Sequence, residues 1–127
     1  MLVDYMLSQQ KVVDAYFEAW RSYDAALLRQ LFTADAVYVI NACKKYSNIE
    51  EIQHYWKRNR ARQRDLRVSY VIIDVKKDFT SVHFLANFYN AIDRTNDKID
   101  GEIHFYCMLS KIYRLSEWYV KDQIRAD

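Results

Sequence analysis

Between Gln63 and Val68 the hydrophobic period of the chain changes for good from helical to strand-like, and that change limits the possible folds more than any other feature. From Ser8 onward Val12, Val13, Tyr16, Phe17 and Trp20 recur at steps of three and four, which places them on one stripe of a helix. Asp24 then stands as the N-cap of a second, shorter helix carrying Leu27, Leu28, Leu31 and Phe32. Residues 36–41 alternate and are rich in β-branched and aromatic side chains, so they read as a short strand. Asn48 and Glu51 have capping-box spacing, and Ile49, Ile52, Tyr55 and Trp56 follow on one face of a third helix that runs to about Gln63. After Leu66 the segments 68–75, 81–92, 102–110 and 113–121 are all strand-like, broken by polar stretches and a tight turn at 109–111. Helices first and a meander afterwards predict an α+β fold, with three N-terminal helices packed on one concave face of a curved sheet. The strands VHFLANFYNAI and EIHFYCML are apolar at odd and even positions alike, so the outer face reads as the interface of a homodimer.

Several function classes are excluded. Proline is absent and Gly101 is the only glycine, so neither a Walker loop nor a dinucleotide fingerprint can form. The formal charge of +2 lacks the field of a nucleic-acid binder. In the basic run 57–67, Lys57, Arg60, Arg64 and Arg67 recur at helical spacing and read as a solvated stripe, with no aromatic between them to stack a base. Cys43 and Cys107 match no metal spacing and offer no disulfide framework, which predicts a reducing, cytoplasmic setting and no metal. No organic cofactor is expected either. The start MLVDYMLSQQK has no basic region followed by an apolar run, so neither a signal peptide nor a membrane segment is expected. A length of 127 residues predicts one domain spanning 1–127.

Three stretches carry a family likeness: AWRSYDAALLRQLFTADAVY at 19–38, NIEEIQHYW at 48–56 and SKIYRLSEWYVKD at 110–122. In this order and spacing the chain resembles the NTF2-like superfamily, in particular its SnoaL-like and ketosteroid-isomerase-like branches. The resemblance implies a cone-shaped pocket inside a strongly curved sheet, usually in a homodimer. It also places Tyr16 where ketosteroid isomerases carry the tyrosine that donates to a developing enolate, and His104 near their second donor. Ile40 stands where those enzymes keep the aspartate that moves the proton, so that mechanism is not available here. Tyr38 and Glu117 sit near the pocket tyrosine and one acid of limonene-epoxide-hydrolase-like proteins, but Leu85 and Asn87 replace that branch's arginine and second aspartate. Scytalone-dehydratase-like proteins use tyrosines with paired histidines, and Tyr16, Tyr38, His83 and His104 offer a loose match.

The resemblance and the residue chemistry together nominate a catalytic set of Glu117, His104, Tyr16 and Tyr38. An acid buried among aromatics has its pKa raised toward neutrality, so Glu117 is the leading base; its structural alternative is a salt bridge to an arginine at the rim. Alternation that turns Leu85 and Asn87 into the pocket turns His83 the same way, where it is either a proton shuttle or a hydrogen-bonded structural histidine. Trp20, Ile40, Tyr55 and Trp56 are expected to wall the pocket, together with Tyr106 on the neighbouring strand. The function expected is proton-transfer chemistry (isomerisation, cyclisation or dehydration) on a small apolar organic molecule. The alternative is a non-catalytic module of the same fold that binds a ligand or a protein.

Overall fold

A computed structural model describes residues 2–126, with side chains from Ser8 onward. Helix α1 (Leu2–Ser22) is followed by a 3₁₀ turn (Ala25–Leu27) and the single-turn α2 (Leu28–Leu31). Asp24 caps that 3₁₀ turn through the amide of Ala26. The second helix expected from the sequence is therefore shorter than its apolar residues suggested, and Phe32 already opens strand β1 (Phe32–Ile40). Asn41 and Ala42, both at positive φ, turn the chain into a three-residue strand, β2 (Lys44–Tyr46), that the sequence did not announce. Asn48 caps α3 (Ile49–Arg62) by accepting from the Glu51 amide. Strand β3 (Gln63–Val75) follows with no loop, and β4 (Thr80–Asn90), β5 (Thr95–Met108) and β6 (Lys111–Arg125) complete the chain.

The six strands lie in the order β2-β1-β6-β5-β4-β3. β1 runs parallel to β6 and every other pair is antiparallel, so the meander gains one parallel partner from the N-terminal half. Residues 109–110 form the tight turn between β5 and β6, with Leu109 and Ser110 both in the left-handed region (φ 51° and 65°). Among the described residues no helix is long and apolar enough to cross a membrane.

Strand parity decides which residues reach the concave face. On β4 that face takes Val82, Phe84, Ala86 and Phe88, and on β5 it takes Ile99, Gly101, Ile103 and Phe105. The expectation that alternation turns His83, Leu85 and Asn87 inward is thus reversed, and His104 and Tyr106 also lie on the convex side. Burial drives this choice: from Val82 to Phe88 the even positions of β4 are all apolar, whereas the odd ones include His83 and Asn87. Gly101 pairs with Phe84 on one side and Tyr119 on the other. A Cβ there would lie 2.4 Å from the Trp118 carbonyl oxygen and 2.7 Å from the Phe84 ring, so the chain's lone glycine occupies a place no larger residue fits. One bulge matters for the site. β5 and β6 pair Tyr106 with Arg114 but Cys107 with Ile112, which leaves Tyr113 as an extra residue and shifts the parity of β6. Ile112 and Leu115 can then both be buried, and Glu117 points into the cup.

The helices close that cup. Val13, Tyr16 and Phe17 of α1 are fully buried against the sheet, where the Phe17 ring stacks on Tyr70 at 4.0 Å and 9°. Ile49, Ile52 and Trp56 bury one face of α3, and Tyr16 meets the edge of Trp56 at 5.5 Å. Aromatic rings cluster at this α1–sheet contact, and the cup opens toward the end where β1, β6 and α3 meet.

Candidate active site

At that end the structure leaves a cavity of about 330 Å³. Its deepest groups come from α1, β1 and β6. Tyr16 and Trp20 are one helical turn apart on α1 and so share a face. Tyr38 and Ile40 alternate inward on β1, and the parallel register sets Ile40 beside Glu117. Tyr38 Oη donates to Glu117 Oε1 at 3.1 Å, and Tyr16 Oη lies 2.8 Å from Tyr38 Oη. With the Tyr38 proton committed to the carboxylate, Tyr16 is the donor in the outer bond, which gives a relay from Tyr16 through Tyr38 to Glu117.

Glu117 is 7% exposed and has no cation partner among the described residues. Burial raises its carboxyl from the ordinary 4.5 to about 7, and the bond donated by Tyr38 pulls in the opposite direction. The same burial, with the nearby carboxylate, holds the Tyr16 and Tyr38 hydroxyls well above their usual range, so both stay neutral donors. Tyr55 is held up for the same two reasons. It stacks on Tyr46 at 4.6 Å and meets Tyr38 at 5.7 Å, and it forms the α3 wall with Trp56.

Seven of the residues nominated from sequence therefore meet at one cavity: Tyr16, Trp20, Tyr38, Ile40, Tyr55, Trp56 and Glu117. The other five do not. His83 Nε2 pairs with Asp100 at 2.7 Å on the convex face, with Leu85 and Asn87 beside it. His104 Nε2 pairs with Glu102 at 2.6 Å, and its ring lies between Phe79 at 4.5 Å and Trp118 at 4.9 Å. Tyr106 packs against Phe79 and Tyr113 on the same side. The sheet lies between these groups and Glu117.

The cavity also has a rim that the sequence reading missed. Gln63, at the start of β3, accepts from Trp20 Nε1 at 3.2 Å and from the Tyr23 hydroxyl, which locks the end of α1 to the sheet. Asn41 accepts from the Tyr119 amide at 2.9 Å and holds the β1–β2 turn against β6. Burial and the Glu117 charge push the Tyr119 hydroxyl up, while the Arg62 guanidinium opposes them. Tyr119 and Lys121 were recoverable from two-residue alternation after Glu117, and Phe88 from the apolar face of β4. Nothing local in the sequence foretells that Gln63 meets Trp20 and Tyr23. Among the described residues no group of three or more His, Cys, Asp or Glu is placed to hold a metal ion, and Glu117 is the one carboxylate that lines the cavity.

The arrangement can take a proton near neutral pH in a site walled by aromatics, and it can supply neutral hydroxyl donors beside the carboxylate. With one carboxylate it cannot divide acid and base roles between two.

Known proteins of this shape are numerous. A hypothetical protein of ketosteroid isomerase-like fold from Catenulispora acidiphila, solved with trimethylamine, superposes with a TM-score of 0.76 at 18% identity, over 85% of this chain and 84% of that one. The epoxide hydrolase/cyclase-like enzyme SalBIII of pyran ring formation in salinomycin gives 0.80 at 16% identity, over 91% and 92%. An NTF2-like protein of unknown function from an Exiguobacterium gives 0.72 at 18% identity, over 87% and 98%. No curated protein sequence matches the chain. The family model of the SnoaL-like domain matches residues 13–106, from the first buried turn of α1 to the end of β5, and the chain belongs to that family.

Proposed function

We infer that the chain is a small-molecule enzyme in which Glu117 moves a proton at a carbon made acidic by a neighbouring carbonyl, as an isomerase, cyclase or dehydratase requires. The observation that carries this reading is the Tyr16–Tyr38–Glu117 relay, which ends on a cavity-lining carboxyl whose pKa is about 7. A base poised there is ionised in about half the molecules at neutral pH and is still strong enough to accept a proton. The relay also responds to the chemistry. While Glu117 is ionised, Tyr16 donates to Tyr38 and Tyr38 donates to the carboxylate. Once Glu117 has taken the proton it becomes a donor to Tyr38, the hydroxyls turn round, and the Tyr16 proton is released toward the new enolate oxygen. Proton uptake and oxyanion stabilisation are then a single event. SalBIII, a cyclase-like relative, is consistent with such chemistry in this cup.

His104 is set aside as base because it is paired with Glu102 on the convex face. That face supports the second part of the reading, a homodimer. Val71, His83, Glu102 and Trp118 form one row across four strands, and Leu85, Val120 and Ile124 leave further apolar surface exposed beside it. A second copy would cover the patch, in a reducing cytoplasm that keeps Cys43 and Cys107 as thiols. Sedimentation tests this: the pair Trp118→Glu and Val120→Lys should yield a monomer, and a wild-type monomer at high concentration would sink the dimer.

The catalytic part is tested by a thermal-shift screen of steroids, terpenoids, polyketide-like aromatics and small carboxylic acids, followed by NMR of the hits in heavy water. Loss of the signal from the acidic C–H of a bound carbonyl compound is expected with the wild type. Exchange should fall about 10²–10⁴-fold with Glu117→Gln, the usual weight of a general base. A compound that binds and exchanges no faster than in buffer would make the cup a binding module.

A further inference from the structure

Three cations from three elements line the outer part of the cavity: Arg62 from the last turn of α3, Lys44 from β2 and Lys121 from β6. Among the described residues neither Arg62 nor Lys44 has an acidic partner. Lys121 has Asp97 at 3.8 Å, a buried carboxylate that also accepts from Asn90, Thr95 and Gln123. Arg62 alone would be explained as a charge that complements the end of its helix. Lys44 and Lys121 are on strands, where no such dipole exists, yet they border the same cavity. The opposite end holds Glu117 and its tyrosines. Along β6 the residues Glu117, Tyr119 and Lys121 share a face, so Lys121 lies about 13 Å from the carboxylate and Tyr119 about half that distance. Charge is thus sorted along the axis of the cup, with a titrating acid inside, aromatic walls between and three cations at the mouth, two of them without an acidic partner among the described residues.

We propose that the molecule the cavity takes is an amphipathic acid: an apolar body that lies between Trp20, Tyr55 and Trp56, with a carboxylate at the end away from its reacting carbon, held at the mouth by Arg62, Lys44 and Lys121. The planar guanidinium of Arg62 matches a carboxylate with paired bonds, and the two lysines add charge without demanding geometry. The aromatic walls alone would also suit an ammonium ion, but such a ligand would enter past three like charges. A mouth of this kind also fixes direction, because binding the acid end outward leaves the other end beside Glu117. At about 330 Å³ the space is at the small end of ligand cavities, which run from about 300 to 1,000 Å³, and suits a one- or two-ring body. The proposal rests on the reading of the cavity as a substrate pocket and adds the substrate's charge and orientation.

The test uses three probes with one apolar body, 2-naphthylacetate, 2-naphthylacetamide and 2-naphthylethylammonium, and reads occupancy without turnover. Cys43 is exposed at the cavity, so a bound probe should slow its alkylation by iodoacetamide. Burial pushes the Cys107 thiol up to about 12, which makes it inert on this timescale. The acid should protect Cys43 at concentrations at least about tenfold lower than the amide, with the ammonium weakest. About 1 M salt, or Arg62→Gln, should narrow the acid–amide gap to about threefold. Arg60→Gln, on the same helical turn but outside the cavity lining, should leave it unchanged. Equal protection by acid and amide, or strongest protection by the ammonium, would overturn the proposal while leaving a pocket that binds. Absence of protection by all three would remove both the proposal and the pocket reading beneath it.

Discussion

Glu117→Gln should change how the stability of the protein depends on pH, and the size of the change follows from the site. Holding a carboxyl at about 7 instead of its ordinary 4.5 means that the anion is disfavoured in the folded state by about 3 kcal/mol, at about 1.36 kcal/mol per pH unit. The unfolded chain releases this proton near pH 4.5, whereas the folded chain keeps it until about pH 7. Between those values the folded state binds more protons, so stability falls as pH rises. The contribution is fully present below pH 4.5, declines through the interval and is gone above pH 7. Glutamine keeps the shape and still accepts from Tyr38, but it does not titrate. Urea unfolding at pH 4.5, 5.5, 6.5 and 8 should therefore show wild type losing about 3 kcal/mol relative to the variant, nearly all of it before pH 7.5. Parallel curves would mean that burial does not disfavour the anion. A wild type that gains on the variant as pH rises would mean that Glu117 is held as an ion, and the proton-acceptor reading would fail with it.

Three further outcomes follow from named contacts. Tyr38→Phe removes the bond that lowers the Glu117 pKa, so the Glu117 titration followed by carboxyl NMR should move above 7, and a midpoint that moves down would refute the relay. Gly101→Ala puts a Cβ against the Trp118 carbonyl oxygen and the Phe84 ring, and should cost about 3 kcal/mol in urea unfolding, the upper part of the range for overpacking. Leu109 is 94% exposed and strained at positive φ, so Leu109→Asn with Ser110→Gly should stabilise the β5–β6 turn by about 1 kcal/mol and raise Tm by about 4 °C; a lower Tm would count against a turn with both residues left-handed.

Helices α1 and α3, the long strands and the acid were legible because each leaves a local mark: a stripe, a cap, a run, a carboxylate amid aromatics. Asn48 and Asp24 cap where their chemistry said they would, and Glu117 faces inward with Leu115 and Tyr119. The five misplaced residues fail together for one reason. Period two fixes which residues share a face but leaves open which face is the core, so one wrong choice of parity turns a whole strand over. The correct parity of β4 was written in its composition, since Val82, Phe84, Ala86 and Phe88 form an unbroken apolar set and His83 and Asn87 interrupt the other. The family resemblance, which places Leu85 and Asn87 by their order along the chain, gave the opposite answer because order along the chain does not weigh burial.

β6 is the harder case, because its parity shifts at Tyr113 and no pattern confined to that strand announces the shift. The bulge serves Ile112 and Leu115, which both need the core, yet its consequence reaches two residues further, where it turns a carboxylate into the cup. Burial that satisfies the core thereby sets the pKa of Glu117, and the cavity's base is a product of how the sheet closes as much as of the residue itself. Deleting Tyr113 tests this: without the extra residue Ile112 still pairs with Cys107 and Arg114 with Tyr106, so Glu117 stays opposite Ile103 in the cup and should still titrate near 7. Strict alternation through a retained Tyr113 would instead carry Glu117 to the convex face and Trp118 inside, so a deletion variant whose carboxyl titrates as an ordinary surface acid would refute this account of the bulge.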